Sequence, residues 1–215
     1  EYFSPAIEAD LGDEGRIPPH LTGVGNKLRA DWLERTLWKG GAVRPYMATR
    51  MPQFGEANVK HLVAGFATVD ALASTTPAPA EDALLAKQGH KLAGTGGLSC
   101  VACHTFAGKP SLGVPALDLT TVAERLTWDW FRRYLLNPQV LRPGTRMPPF
   151  WPDGKAANRD ILGGDTEKQV AALWAFLAKG KQADLPPGLI TGKLELVATN
   201  EALIYRNFIE GAGSR

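Results

Sequence analysis

Cys100-Val101-Ala102-Cys103-His104 is the stretch on which the reading of the chain turns. Two thiols separated by two residues, with an imidazole directly after the second, can form thioethers to both vinyl groups of a haem while the histidine ligates its iron from one face. Two other chemistries also use a CxxC pair. A disulfide redox pair does not need the adjoining histidine. A zinc site needs further ligands of matching type, and the chain has only these 2 cysteines, with no Cys/His knuckle nearby. Covalent haem attachment is the reading the motif favours.

Working outward, a c-type haem in a redox protein commonly takes a second axial ligand, and a thioether in that place raises the potential of the iron. The chain holds 3 methionines, Met47, Met51 and Met147. Met147 follows the haem motif in Leu141-Arg142-Pro143-Gly144-Thr145-Arg146-Met147-Pro148-Pro149-Phe150. Prolines on either side of a glycine stiffen a loop while still letting it turn, which suits a segment that must hold one sulfur against iron. Methionine is more often core filler. The caged loop and its place after CxxCH make His104 and Met147 the expected axial pair.

With these parts in view, residues 81–180 resemble a class I cytochrome c domain. The matching pieces are a helix Leu84 to Leu92 with Gly89, the motif Cys100 to His104, the loop Gly113-Val114-Pro115-Ala116-Leu117, a middle helix Thr127 to Leu136, Met147, and a last helix Thr166 to Ala178. The resemblance implies a mainly α fold in which Gly89 lets the first helix cross the last, with Trp174 or Phe176 at the crossing. It implies that Pro115 offers its carbonyl to the Nδ1 proton of His104, fixing the ring and its tautomer. Leu112, Val114, Leu117 and Leu119 would line the haem, and Trp128, Trp130 and Tyr134 would pack beside it. Trp130, Arg125, Arg142 and Arg146 are the nearest donors to the haem propionates, with core packing and surface charge as their plain alternatives. The cofactor-binding set is thus Cys100, Cys103, His104, Met147, Pro115, Trp130 and Arg146.

The N-terminal half repeats much of this pattern. Asp31-Trp32-Leu33-Glu34-Arg35 resembles Asp129-Trp130-Phe131-Arg132-Arg133, and Thr49-Arg50-Met51-Pro52-Gln53-Phe54 resembles Thr145-Arg146-Met147-Pro148-Pro149-Phe150. Arg44-Pro45 pairs with Arg142-Pro143, Lys27-Leu28 with Arg125-Leu126, Pro19 with Pro115, and Glu56 to Leu62 with Glu167 to Leu173. Residues 1–72 read as a second cytochrome c-like unit without its CxxCH segment. Truncation of a longer di-haem protein, loss of the haem in this copy, and completion by another chain are three origins for that. One haem c per chain is expected, with Met51 a dormant ligand. Helices are expected over Asp31 to Trp38 and over 55–72, the latter burying Val59, Leu62, Val63, Phe66 and Val69. His61 and His90 read as solvent-facing, and His20 as a surface or hydrogen-bonded histidine.

Between the units, Ala73 to Ala80 is small, polar and Pro-bearing, a linker. Residues 1–18 are acidic and irregular, a surface segment whose spacing fits no EF-hand. Pro152 to Asp165 is an insertion relative to the first unit. Beyond 180, Lys193 to Ala198 and Ala202 to Ile209 read as two short strands, a hairpin too small to bury a core alone. Arrays ending this way resemble the cytochrome modules appended to large secreted dehydrogenase-like proteins, a likeness covering only the tail.

The 215 residues, 44% hydrophobic with a formal net charge of +2, give room for two small domains and no electrostatic case for nucleic acid. No apolar run is long enough to span a membrane. Haem attachment by this motif resembles chemistry carried out outside the cytoplasmic membrane, so a periplasmic or extracytoplasmic location is expected. The sequence shows no signal peptide, which suits a mature product or a module of a longer precursor. The expected function is electron transfer between redox protein partners, without catalysis. A haem enzyme or gas-binding protein with an open iron position, and a docking module, are the alternatives.

Overall fold

The computed structural model describes Gly15 and residues 17–189, apart from Pro45 and Ser74. Most of the acidic segment and both expected C-terminal strands lie outside the described residues. Those that are described are mainly helical, with isolated bridges and no sheet. No helix among them is long and apolar enough to cross a membrane.

In the N-terminal part, α1 (Val24–Lys27) leads through Leu28 and Arg29 into α2 (Ala30–Trp38). Trp32, Leu33 and Leu37 share the buried face of α2, while Asp31 in its first turn and Arg35 in its last suit the helix dipole. The expected helix over 55–72 is divided at Lys60 into α3 (Glu56–Val59) and α4 (His61–Val69). Val24, Leu33, Leu37 and Val59 form the core here, with Leu62, Val63 and Phe66 packed against it. Val69, expected on the buried stripe, is 82% exposed. α1 closes on α4 at Gly25, where a Cβ would collide with the Phe66 backbone, and at the following turn it meets Asp70 rather than Val69, Gly25 N donating to Asp70 Oδ2 at 2.7 Å and Asn26 Nδ2 to its carbonyl at 3.2 Å.

The C-terminal part is built on a crossing of α5 (Ala83–Ala93) with α9 (Thr166–Leu177). Asp82 caps α5 by accepting from the Leu84 and Leu85 amides at 2.8 and 2.9 Å, and Asp165 caps α9 by accepting from Lys168 N at 3.0 Å. At the crossing, a Cβ on Gly89 would run into the Ala172 carbonyl and the Phe176 side chain, so only glycine permits this approach. Phe176 stacks on Phe106 with ring centres 5.6 Å apart. Against the same core lies α7 (Trp128–Leu136), whose Phe131 meets Trp174 at 5.1 Å. The short helices α6 (Val122–Arg125) and α8 (Pro138–Leu141) flank it.

Two segments outside the main helices are fixed by single side chains. The insertion after Trp151 forms two tight turns, Pro152–Gly154 and Leu162–Gly164. Fully buried Gln169 on α9 holds it, accepting from Trp151 Nε1 at 2.9 Å and donating to the carbonyls of Asn158 and Ile161 at 2.7 and 2.8 Å. Packing also continues past residue 180. The Leu185 carbonyl lies 2.8 Å from His90 Nε2, Thr95 N donates to the Pro187 carbonyl at 3.0 Å, and Leu189 is buried.

One local succession occurs twice: a four-residue helix, an extended leucine, then a nine-residue helix one residue on. It is α1, Leu28, α2 in the first case and α6, Leu126, α7 in the second. Backbone angles at Leu28 (φ −99°, ψ 142°) and Leu126 (φ −97°, ψ 151°) nearly coincide. These two leucines form an antiparallel bridge, with Arg29 N donating to Arg125 O at 2.9 Å and Thr127 N to Lys27 O at 3.0 Å. Leu28 packs on both cores. Around it, Arg35 pairs with Glu124 at 2.6 Å, Arg133 donates to Asn26 Oδ1 at 3.0 Å, and Lys27 Nζ sits 4.5 Å from the Trp130 ring centre. Within the linker, Thr76 N donates to Asp129 Oδ1 at 2.8 Å.

Candidate haem site

Ser99, in the left-handed region at φ 54°, turns the chain into a single 3₁₀ turn over Cys100–Ala102. The Cys103 and His104 amides both donate to the Cys100 carbonyl, at 3.1 and 2.9 Å. Val101 is fully buried and anchors the turn in the core, which leaves Cys100 partly buried and Cys103 exposed. The two thiols are free. Burial, aided by the nearby Cys103, pushes the Cys100 thiol up to about 12, whereas a redox-active CxxC pair relies on a thiol shifted the other way. Among the described residues no group of three or more His, Cys, Asp or Glu is placed to hold a metal ion.

After the turn, Ala116 pairs with His104 in a parallel bridge and donates its N–H to the Cys103 carbonyl at 2.7 Å. His104 Nδ1 lies 2.8 Å from the carbonyl oxygen of Leu117. A carbonyl can only accept, so Nδ1 carries the proton and Nε2 keeps the lone pair that a metal ligand needs. The acceptor is thus Leu117 and not Pro115. Ala116 is pinned beside His104, and the ring meets the carbonyl just past that bridge, not the one before it. Burial, the largest cause, and the Arg125 charge lower the His104 pKa, against the Leu117 hydrogen bond and Asp118, which raise it.

Asp118 ties this loop together, a role the sequence reading missed. Its carboxylate accepts from the amides of Ala107 (3.3 Å), Gly108 (2.9 Å) and Thr120 (2.8 Å) and from the Thr120 hydroxyl (2.6 Å). Asp118-Leu119-Thr120, an Asp capping a turn, was the signal available for it.

Met147 is partly buried and packs on the larger core. Its loop is held by buried Thr145, whose carbonyl accepts from Gln139 Nε2 at 2.7 Å and whose hydroxyl meets Tyr134 OH at 3.1 Å and the Met147 amide at 3.3 Å. Gln139 also accepts from Gly144 N at 3.1 Å. Neither Gln139 nor Thr145 was singled out from the sequence. Met51 is 38% exposed, while Met47 is buried.

The other expected residues fall in different places. Trp130 is buried between Tyr134, stacked at 4.6 Å, and Lys27. Of the arginines expected near the propionates, Arg125 alone is buried, Arg142 is partly so and Arg146 is exposed. Arg125 Nε and Trp128 Nε1 are buried without hydrogen-bond partners, which suits donors waiting for an acidic group. Leu119 joins the core, Leu112 packs against it, and Val114 is 37% exposed. His20 and His61 are exposed as expected. His90, expected to face solvent, instead meets the Leu185 carbonyl and Phe176, because the chain after α9 folds back over α5.

The residues present therefore fit a covalent haem: paired free thiols, a histidine with its outer nitrogen already engaged, a braced methionine loop and unpaired buried donors. Neither protein-family models, nor curated proteins, nor solved structures match this chain.

Proposed function

We propose that this chain is an electron-transfer c-type cytochrome, with one haem held covalently by Cys100 and Cys103 and axially by His104 and Met147. The observation that carries the reading is the hydrogen bond from His104 Nδ1 to the Leu117 carbonyl directly after the cysteine turn. It fixes the tautomer and directs the ligating nitrogen away from the loop. Bound there, the haem supplies reversible one-electron chemistry at its iron. Thr145, Gln139 and Tyr134 restrain the loop that presents the Met147 sulfur, and the apolar core behind Val101 keeps water from that side. Held by both His104 and Met147, the iron would keep no position for a substrate, and the chain would exchange electrons with redox partners rather than catalyse a reaction.

In this reading the two parts are copies of one cytochrome c unit. Support comes from the helix, leucine and helix succession that recurs at Leu28 and Leu126, the positions matched in sequence. Cys100 and Cys103 are the 2 cysteines of the sequence, so one covalent haem is assigned to it, in the second copy, and the location is extracytoplasmic.

A pyridine haemochrome assay on protein of known mass should give one haem per chain. Met147→Ala should lower the reduction potential, abolish the methionine–iron charge-transfer band and admit carbon monoxide, while Met51→Ala should do none of these. Colourless protein, or wild-type iron that takes up carbon monoxide freely, overturns the assignment.

A further inference from the structure

Arg125 closes α6 with its side chain 7% exposed and its Nε without a partner. Among the described residues no carboxylate forms an ion pair with it. Burial and the charge of Arg44 push its pKa down to about 10, against the opposing effect of Tyr46 and Tyr134. A buried guanidinium beside a second cation is costly unless an anion joins them. Arg44 and Tyr46 belong to the N-terminal part, so the charges that act on Arg125 come from both sides of the Leu28–Leu126 junction.

A second observation places the N-terminal loop at the histidine. When Arg44-Pro45 is matched to Arg142-Pro143 and Thr49-Arg50-Met51 to Thr145-Arg146-Met147, Tyr46, Met47 and Ala48 stand where the C-terminal part has Gly144 alone. Tyr46 and Met47 are 7% and 5% exposed and pack against Leu117, whose carbonyl holds His104. The Arg50 guanidinium donates to the Met47 carbonyl and fixes the loop there. Tyr46 and Met47, two of the three residues that stand in place of Gly144, are thus seated on the haem-binding part.

We propose that Arg44 and Tyr46 join Arg125 in binding the haem carboxylates, so that the site built on Cys100, Cys103 and His104 is completed by the N-terminal part. The inference rests on the haem reading above. Two carboxylates carry the negative charge that the arginines lack, the forked guanidinium suits them, and a tyrosine hydroxyl can donate to the oxygen that remains. The N-terminal part then has a role: it closes the carboxylate end of the other part's cofactor and sets its potential. Ferrous iron carries one positive charge fewer than ferric, so nearby cations favour reduction.

The test uses the full chain with haem attached. Midpoint potential and the propionate bending modes in resonance Raman spectra are measured for wild type, Arg44→Gln, Arg44→Lys and Tyr46→Phe. Lys60→Gln, which removes an exposed charge of the N-terminal part, serves as control. Arg44→Gln should lower the potential well beyond the control and shift the propionate modes, and Arg44→Lys should restore most of the potential. Tyr46→Phe keeps the buried ring and should shift the propionate modes with haem content unchanged. If wild type carries its haem with His/Met spectra but Arg44→Gln and Tyr46→Phe both match the control, the shared site is overturned and the haem reading stands. If wild type takes up no haem, both fall.

Discussion

Gly89, Gln169 and Asp118 each do something no neighbouring residue type could. Gly89→Ala forces a methyl group into the Ala172 carbonyl and Phe176, and should cost about 1–3 kcal/mol in denaturant unfolding without removing any contact. Gln169→Leu keeps the volume but strands the Trp151 indole N–H and the Asn158 and Ile161 carbonyls. A loss of about 3 kcal/mol, with altered Trp151 fluorescence, is expected. For Asp118, burial alone would raise the pKa, but the Thr120 hydroxyl and the Gly108, Thr120 and Ala107 amides together lower it below its usual 3.8. A carboxyl depressed in the folded state stabilises fully above its unfolded value and ceases to do so as pH falls through the folded one. Stability should therefore drop as pH falls from about 3.8, and Asp118→Asn should flatten that part of the unfolding-versus-pH curve. Gly89 was legible in the sequence because the class I cytochrome c pattern that residues 81–180 resemble marks a small residue there. Gln169 was not, since a glutamine on a helix gives no sign of which loop it will hold.

At the level of elements, the helices around the cysteine motif were legible to within a residue or two, because caps and apolar spacing agree. Asp82 before α5 and Thr127 before α7 cap their helices in the structure, and both are residue types that favour that position. Asp82→Ala should lower the unfolding midpoint by an amount equivalent to about 1 kcal/mol, as seen by circular dichroism. The break at Lys60 was not legible. Periodicity over 55–72 suits one helix, and nothing in the spacing marks Lys60, whose own backbone angles stay helical (φ −57°, ψ −33°). The shift of the histidine acceptor from Pro115 to Leu117 has the same character. Pairing of Ala116 with His104 sets which carbonyl meets the ring, and the loop sequence alone does not state that register.

Across the whole molecule, the two parts meet through Leu28, shared by two cores, and through Tyr46 and Met47 packed on Leu117. Leu28 is partly buried, so Leu28→Ala should cost about 1–2 kcal/mol, less than a fully enclosed leucine. It should also separate one thermal transition into two, read by calorimetry. Arg35→Ala, which removes an exposed ion pair across the same junction, should change stability by less than about 1 kcal/mol. The returning segment from Ala183 to Leu189 has a practical consequence for anyone shortening the chain. It works as a latch: Leu185 and Pro187 engage His90 and Thr95 on the far side of α5, beyond the last helix turn. Cutting at 180 would leave that catch open and bare the back of the helix leading to Cys100, whereas stopping at 189 keeps it shut.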